Sequence, residues 1–222
     1  MSLAVLKAGG RVAAGTADEV RALVAQGLHV CVVHGAGPQI SSEMERRGLE
    51  VVFVGGRRVT SSAALSVVRE AFAALNVELC AAIGPSALGL FGDEIGMYAR
   101  RVPELGLVGE PIPGAPPAIV AALAEGFVPV VAPLAVGPLN VNADDAAAAL
   151  AVGLGAERIL FVSDVPGVLL GGMTADSLDA DEAEDLIGAG RFEGGIVPKL
   201  EAAVRAARGG VRAEIGLTAV LP

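Results

Sequence analysis

The stretch HVCVVHGAGPQI, residues 29–40, decides how this chain folds. Residues 29–33 form a nearly continuous apolar run without polar alternation. Such a run reads as a strand covered on both faces, as in a parallel sheet. A Gly-Ala-Gly-Pro turn follows at 35–38, and the pattern from 38 to 48 reads as a helix. The N–H groups of that turn face a helix N-terminus, where an anion is favoured. His34 reads as a structural hydrogen-bonding residue of the turn.

The same grammar repeats outward from this stretch. LAVL (3–6) precedes the turn KAGG, FVPVVA (127–132) precedes PLAV, and RILFVS (158–163) precedes DVPG. Helical patterns occupy 16–27, 62–83, 116–125, 143–154 and 198–209. Thr16, Thr60-Ser61-Ser62 and Asn142 stand where N-caps are preferred. Buried strands alternating with helices imply βαβ units. The expected fold is α/β, a three-layer αβα sandwich with a mainly parallel central sheet, and 222 residues allow one large domain or two small lobes. Ligands in such sheets gather at the carboxyl ends of strands, so KAGG, HGAG and NVNAD are expected to converge there.

Composition narrows the partners. Net charge is −9 and hydrophobic content 53%, which argues against nucleic acid or an anionic membrane as a broad partner. The most apolar segment, FVPVVAPLAV, is shorter than the roughly 20 residues a membrane helix needs and is interrupted by Pro129 and Pro133. Cys31 and Cys80 both read as small buried hydrophobes, suited to a reducing compartment. The first strand begins almost at Met1, so no signal peptide is expected and the location reads as cytoplasmic.

Positive charge is distributed unusually. The chain has 14 Arg and only two Lys, Lys7 and Lys199, and both lie beside a Gly pair. An ammonium is a compact point charge for phosphate oxygens, whereas guanidinium is a planar fork. In KAGG, two glycines let backbone N–H groups approach an oxyanion. GGRRVTSS, 55–62, offers an Arg to fork a carboxylate, or else a solvated basic turn. NVNADD sets Asn140, Asn142 and Asp144 at a strand-to-helix turn, where Asn142 or Asp144 also reads as a plain cap. SDVPGVL is either a rest for a base or ribose or an ordinary Pro-Gly turn. No Ser-His-Asp set and no Cys/His metal spacing is apparent. A reaction that needs charge neutralisation rather than a base therefore fits, and phosphoryl transfer to a carboxylate is one. A carboxyl of pKa about 4.3 is already ionised at neutral pH.

Nine ordered segments resemble the amino acid kinase family, and within it the members that phosphorylate N-acetyl-L-glutamate: LKAGG, VVHGAGPQI, FVGGRRVT, ALGLFGDEIG, LGLVGE, PVVAPLA, NVNADDAAAALA, ILFVSDVPGVL and GGIVPKLEAAVRAARGGV. The resemblance implies a single domain over 1–222, with an N-lobe of about 1–142 for the acyl amino acid and a C-lobe of about 143–222 for ATP. It implies that Lys7 and Lys199 stabilise the transferring phosphoryl group and that Asp144 orients both. Gly35 and Ala36 match the loop touching substrate and γ-phosphate. Arg58 and Asn140 match the clamp on the substrate α-carboxylate, with Asn142 beside them. Gly9, Gly10, Ser163, Asp164, Gly167, Gly194 and Gly195 match the phosphate and nucleotide positions. ATP and Mg²⁺ are the implied cofactors, with no protein ligand assigned to the metal, and the product would be N-acetyl-glutamyl 5-phosphate on the way to arginine. A kinase for another acyl amino acid, such as carrier-linked aminoadipate, and a non-catalytic binding subunit are the alternatives.

Four departures accompany the resemblance. HGAGP stands for the family's HGGGP, so Ala36 must accept a Gly position. Phe91 in GLFG replaces a Ser. The family continues past RAEIG with further strands, so a reduced C-lobe edge is expected where this sequence ends in GLTAVLP. The N-terminal helix of hexameric, arginine-inhibited members is also missing. A homodimer through helix 62–83, without arginine feedback, is the expectation.

Overall fold

The computed structural model describes residues 2–9, 13–162 and 166–222. Gly10, Ser163 and Asp164, assigned above to phosphates and nucleotide, lie outside the described residues. The chain opens with β1 (Leu3–Ala8), α1 (Ala13–Ala25), β2 (His29–His34) and α2 (Gly37–Arg46). A hairpin of β3 (Phe53–Val54) and β4 (Arg57–Arg58) leads into the long α3 (Ser62–Ile83) and β5 (Ala87–Phe91). Next come β6 (Ala99–Arg101), β7 (Val108–Pro111), α4 (Pro117–Ala124), β8 (Val128–Ala132), β9 (Leu134–Ala135) and β10 (Leu139–Val141). The remainder is α5 (Ala143–Gly153), β11 (Arg158–Phe161), the hairpin β12 (Leu169–Leu170) and β13 (Met173–Thr174), β14 (Ser177–Asp179), α6 (Ala180–Gly188), α7 (Ile196–Arg208), β15 (Arg212–Ile215) and β16 (Thr218–Leu221).

Eight strands form the central sheet in the order β14-β16-β15-β11-β1-β2-β8-β5. Every neighbouring pair is parallel except β15 with β16. The strands alternate between two cores. Leu3, Val5, Cys31 and Val33 pack with α4, α5, α6 and α7, while Ala4, Leu6, Val30 and Val32 pack with α1, α2 and α3. Because both faces are covered, apolar residues are needed at every position, which is why these strands show no polar alternation. The three-layer αβα sandwich follows. Small side chains let the layers come close: a Cβ added at Gly153 of α5 would meet the backbone N of Gly114 at 2.1 Å.

Several expectations change. Thr16 does not start a helix; it lies inside α1, buried, and its hydroxyl has no partner among the described residues. His29 opens β2 rather than sitting mid-strand. Cys31 is buried but Cys80 only partly so. Asn140 and Val141 belong to β10 of a separate four-stranded sheet, β6-β7-β10-β9, not to the central one. Helix α6 lies outside the helical patterns named above; the Asp179 side chain caps it, accepting from Glu182 N at 2.7 Å. The last strand, β16, lies between β15 and β14 inside the sheet.

Candidate active site

Alternation along β1 places Lys7 on the same face as Leu3 and Val5, toward α5 and α7. Its neighbours in register are Val33 of β2 and Phe161 of β11. Asp144 is the second residue of α5, and Lys199 lies in the first turn of α7. The three meet: Lys7 Nζ is 3.1 Å and Lys199 Nζ 3.0 Å from the same oxygen, Asp144 Oδ1. All three are buried, and the Lys199 ammonium also lies 5.4 Å from the Phe161 ring centroid.

Burial opposes charge on Asp144, but the adjacent Lys7 and Lys199 more than offset it and hold its carboxyl below the usual range. Lys199 is pushed down, first by burial and further by the nearby Lys7, with Asp144 opposing. Two cations share one anion, so the cluster retains about one unit of positive charge. It is organised to receive a further anion.

That charge lies at the edge of a cavity of about 270 Å³. Lys7, Gly35, Ala36, Arg58, Asn140, Asn142 and Asp144 all line it, so seven of the residues singled out in the sequence converge. Gly35 N donates to Ala8 O at 3.0 Å, which ties the HGAG turn to the end of β1. Val162 N donates to Lys7 O at 3.0 Å and sets the exit of β11 beside it. Lys7–Gly9, HGAG and Val162 at the exit of β11 thus share one edge of the sheet, while NVNAD reaches the cavity from the second sheet. Ala36 replaces the family glycine without strain, since its φ is −130°. Phe91, the other departure, ends β5 and stacks under Arg69, whose guanidinium carbon lies 5.1 Å from the ring centroid.

An amino acid kinase family model matches residues 2–216. The chain belongs to the amino acid kinase family. Among curated relatives, this kinase is 41% identical to an acetylglutamate kinase of Rubrobacter xylanophilus, over 97% of its own length and 88% of the relative's. An acetylglutamate kinase of Saccharopolyspora erythraea is 39% identical over 93% of the chain and 77% of the relative. In structure it superposes on a protein from Streptococcus mutans UA159 with a TM-score of 0.89, at 26% identity, covering 99% of this chain and 98% of that one. Carbamate kinase of Giardia lamblia, seen with AMP-PNP, shares the fold at a TM-score of 0.73 and 14% identity, covering 99% of this chain and 98% of that one.

On the cavity wall of the kinase, Arg58 is held without a carboxylate partner among the described residues. Its guanidinium donates to Gly37 O at 3.0 Å and Ser41 Oγ at 2.9 Å, and its carbon lies 4.6 Å from the centroid of the Phe53 ring. Burial lowers its pKa from the ordinary value. A buried, oriented cation lacking an anion is a receptor for one. Arg57, its neighbour, turns away and pairs with Asp145 at 3.0 Å, which separates the two readings of GGRRVT. Asn140 Nδ2 donates to Thr60 Oγ1 at 3.0 Å, and Thr60 Oγ1 donates to Arg58 O at 2.8 Å, so clamp and strand are joined.

Asn142 lines the cavity, but its amide is engaged within the protein. Oδ1 accepts from Asp144 N and Asp145 N at 2.8 and 3.3 Å, and Nδ2 donates to Gly56 O at 3.2 Å. It is the cap of α5, and both of its functional atoms are already used. Gly167, Gly194 and Gly195, which the resemblance assigns to the nucleotide, do not line this cavity. Gly194 and Gly195 lead into α7, and a Cβ at Gly167 would meet Thr218 Oγ1 and Thr174 Cγ2 at 2.6 Å. His34 is fully buried, with Nε2 3.1 Å from Asn76 Nδ2 of α3 rather than bonded in the turn. Burial lowers its pKa to about 4. Ser41 and Asn76 escaped the sequence reading because each acts through a partner distant in sequence, and Phe53, though inside FVGGRRVT, was given no role there.

Proposed function

We propose that this kinase transfers the γ-phosphoryl group of ATP to the side-chain carboxylate of N-acetyl-L-glutamate, giving N-acetyl-glutamyl 5-phosphate and ADP. The observation that carries the reading is the convergence of Lys7 and Lys199 on one oxygen of Asp144, at the rim of a cavity with an unpaired Arg58 on its wall. Arg58 and Asn140 take the substrate α-carboxylate. The side-chain carboxylate is then directed toward Lys7. As its oxygen forms a bond to the γ-phosphorus, the bond to the β,γ-bridging oxygen breaks and the electron pair leaves with ADP. Lys7 neutralises charge on the transferring group from β1 and Lys199 from α7, while Asp144 fixes both and takes no proton. Preorganised donors of this kind act where charge develops.

The donor set fits nucleotide phosphates, being two ammoniums and the N–H groups of Ala36 and Gly37 where α2 begins, Gly35 N being engaged by Ala8 O. Mg²⁺ would come bound to the phosphate oxygens and add further charge neutralisation. Residues of about 1–142 form the acyl amino acid lobe and about 143–222 the nucleotide lobe, with Gly9, Gly167, Gly194 and Gly195 at the phosphates. A place in arginine synthesis and a cytoplasmic location accompany this reading, and no described helix is long and apolar enough to cross a membrane. A homodimer through α3 and the edge strand β5 is supported by exposed Val77 and Leu88. The relatives at about 40% identity favour N-acetylglutamate over other acyl amino acids, and the intact lysine–aspartate cluster favours turnover over binding alone.

The test is ADP release with ATP–Mg²⁺ across a panel of acyl glutamates and acyl aminoadipates, with hydroxylamine trapping the acyl phosphate. Hydroxamate from N-acetylglutamate is expected. ADP release no faster than in a Lys199→Met control, on every acceptor, would refute the assignment.

A further inference from the structure

A second cavity, about 570 Å³ and larger than the first, opens beyond the Arg57–Asp145 pair. Four of the 14 arginines line it: Arg57, Arg100, Arg205 and Arg208. Only two carboxylates do, Glu110 and Asp145, so four positive charges less two negative leave the lining two units positive. The whole chain is at −9. Asp181 and Glu184, which pair with Arg208 from outside the lining, bring the carboxylates to four as well, so the wall is rich in guanidinium rather than net positive once its partners are counted.

The guanidiniums are placed rather than scattered. Arg57 lies between Asp145, at 3.0 Å, and Glu110, at 3.5 Å. Arg205 reaches Asp145 from α7, and Arg100 reaches Glu110 from β6. Arg208 follows Arg205 by one helical turn, anchored from outside the cavity by Asp181 and Glu184. Glu110 is held below its ordinary pKa chiefly by the hydrogen bond from Arg100, against burial, with Arg57 and Arg205 contributing. Three guanidiniums therefore act on one point. The floor is aliphatic: Val152 and Ala148 of α5 on one side, and Ile112 with Pro113 on the other. Ile112 is 54% exposed.

We propose that this cavity is a second ligand site for a small aliphatic di- or tricarboxylate. Planar carboxylates match the guanidinium fork, and a short hydrocarbon body matches the floor. The ligand would bind by drawing guanidiniums from Asp145 and Glu110. Asp145 adjoins Asp144 on α5, and Arg57 adjoins Arg58 on β4, so an occupant lies one residue from the catalytic cluster on both walls. The site stands on its own charges and does not depend on which acyl amino acid the kinase uses.

Calorimetric titration of tricarballylate into the full chain tests it, without nucleotide, with and without saturating N-acetyl-L-glutamate. One site per chain is expected, retained when N-acetyl-L-glutamate is present and retained in Arg58→Lys. Arg205→Gln with Arg208→Gln should weaken it by about tenfold or more, the usual scale for losing charge-assisted hydrogen bonds. Ile112→Glu, which adds a carboxylate from the opposite wall, should weaken it comparably. The proposal is overturned by absence of binding through the millimolar range, by displacement with N-acetyl-L-glutamate, or by equal affinity in both variants. Tighter binding of inorganic pyrophosphate than of tricarballylate would overturn the ligand class. Because the readout is binding without ATP, a failed kinase assay would leave this result intact.

Discussion

Asp144→Asn removes a charge from the centre of the site while keeping its shape. Each lysine lies 3.0–3.1 Å from the same carboxylate oxygen. At an effective dielectric constant near 20, one such contact is worth roughly 5 kcal/mol of attraction. An amide keeps an acceptor between the two buried ammoniums but removes the only anion that offsets their repulsion among the described residues. One lysine must then turn away or lose its proton. Lys199 is the one to do so, since burial already lowers its pKa and Asp144 is what opposes that. A donor lost from a preorganised site lowers kcat by about 10² to 10³, and that is the expected loss here. The pH profile adds a readout that simple misfolding would not move: the alkaline limb of kcat should shift to lower pH than in the wild type. KM for N-acetylglutamate should change little, because Arg58 and Asn140 are untouched. The assay is coupled ADP release from pH 6 to 10. A profile parallel to wild type with less than about a tenfold loss would refute the bridging role of Asp144.

Other outcomes follow from the same geometry. Lys7→Arg should lower kcat by about 10², because a longer planar cation cannot share Asp144 Oδ1 with Lys199; near wild-type turnover would show that charge alone suffices. Arg58→Lys should raise KM for the acyl amino acid about tenfold with kcat nearly unchanged, measured by steady-state kinetics. His34 has a folded-state pKa of about 4 against 6.5, so the unfolded chain binds more protons between those values and stability falls as pH drops. Urea unfolding should lose about 3 kcal/mol from this group between pH 7 and pH 4; Asp144, whose folded pKa is depressed, adds its own loss only at still lower pH, and that part should be absent in Asp144→Asn. Asn76→Ala, which strips a partner from His34 Nε2 and Val130 O, should destabilise by about 2 kcal/mol, read as a Tm lower by roughly 4–8 °C.

Much of this was legible in the sequence because the strands are short, apolar and flanked by Gly turns. HVCVV and LAVL could be placed because covering both faces of a parallel strand removes polar residues from it. Helix 62–83 was read at its observed bounds since Ser61 caps it, accepting from Ala64 N at 3.2 Å. The rarity of lysine pointed to Lys7 and Lys199, but only three-dimensional contact joins residues 192 positions apart in the chain. The four-stranded sheet was not legible: its strands run two to four residues, too short for a periodic signal. Thr16 misled because a cap is defined by backbone geometry, and a Thr before Ala-Asp-Glu looks the same whether it starts a helix or lies within one. The difference between Arg57 and Arg58 was invisible because adjacent residues on a strand face opposite ways.

The first turn of α5 carries a consequence for how this protein can vary. Asn142 pins both Asp144 N and Asp145 N, and successive helical residues diverge by about 100°. Asp144 therefore faces the lysines while Asp145 faces the arginines. A substitution that merely loosens this turn tilts both carboxylates together, each relative to its own cations. Neither chamber can be retuned through the helix backbone without disturbing the other. Variation that respects both must occur on the far walls, at positions such as Arg208 and Ile112 on one side or Phe53 and Ser41 on the other, while residues 142–145 behave as a single inherited unit.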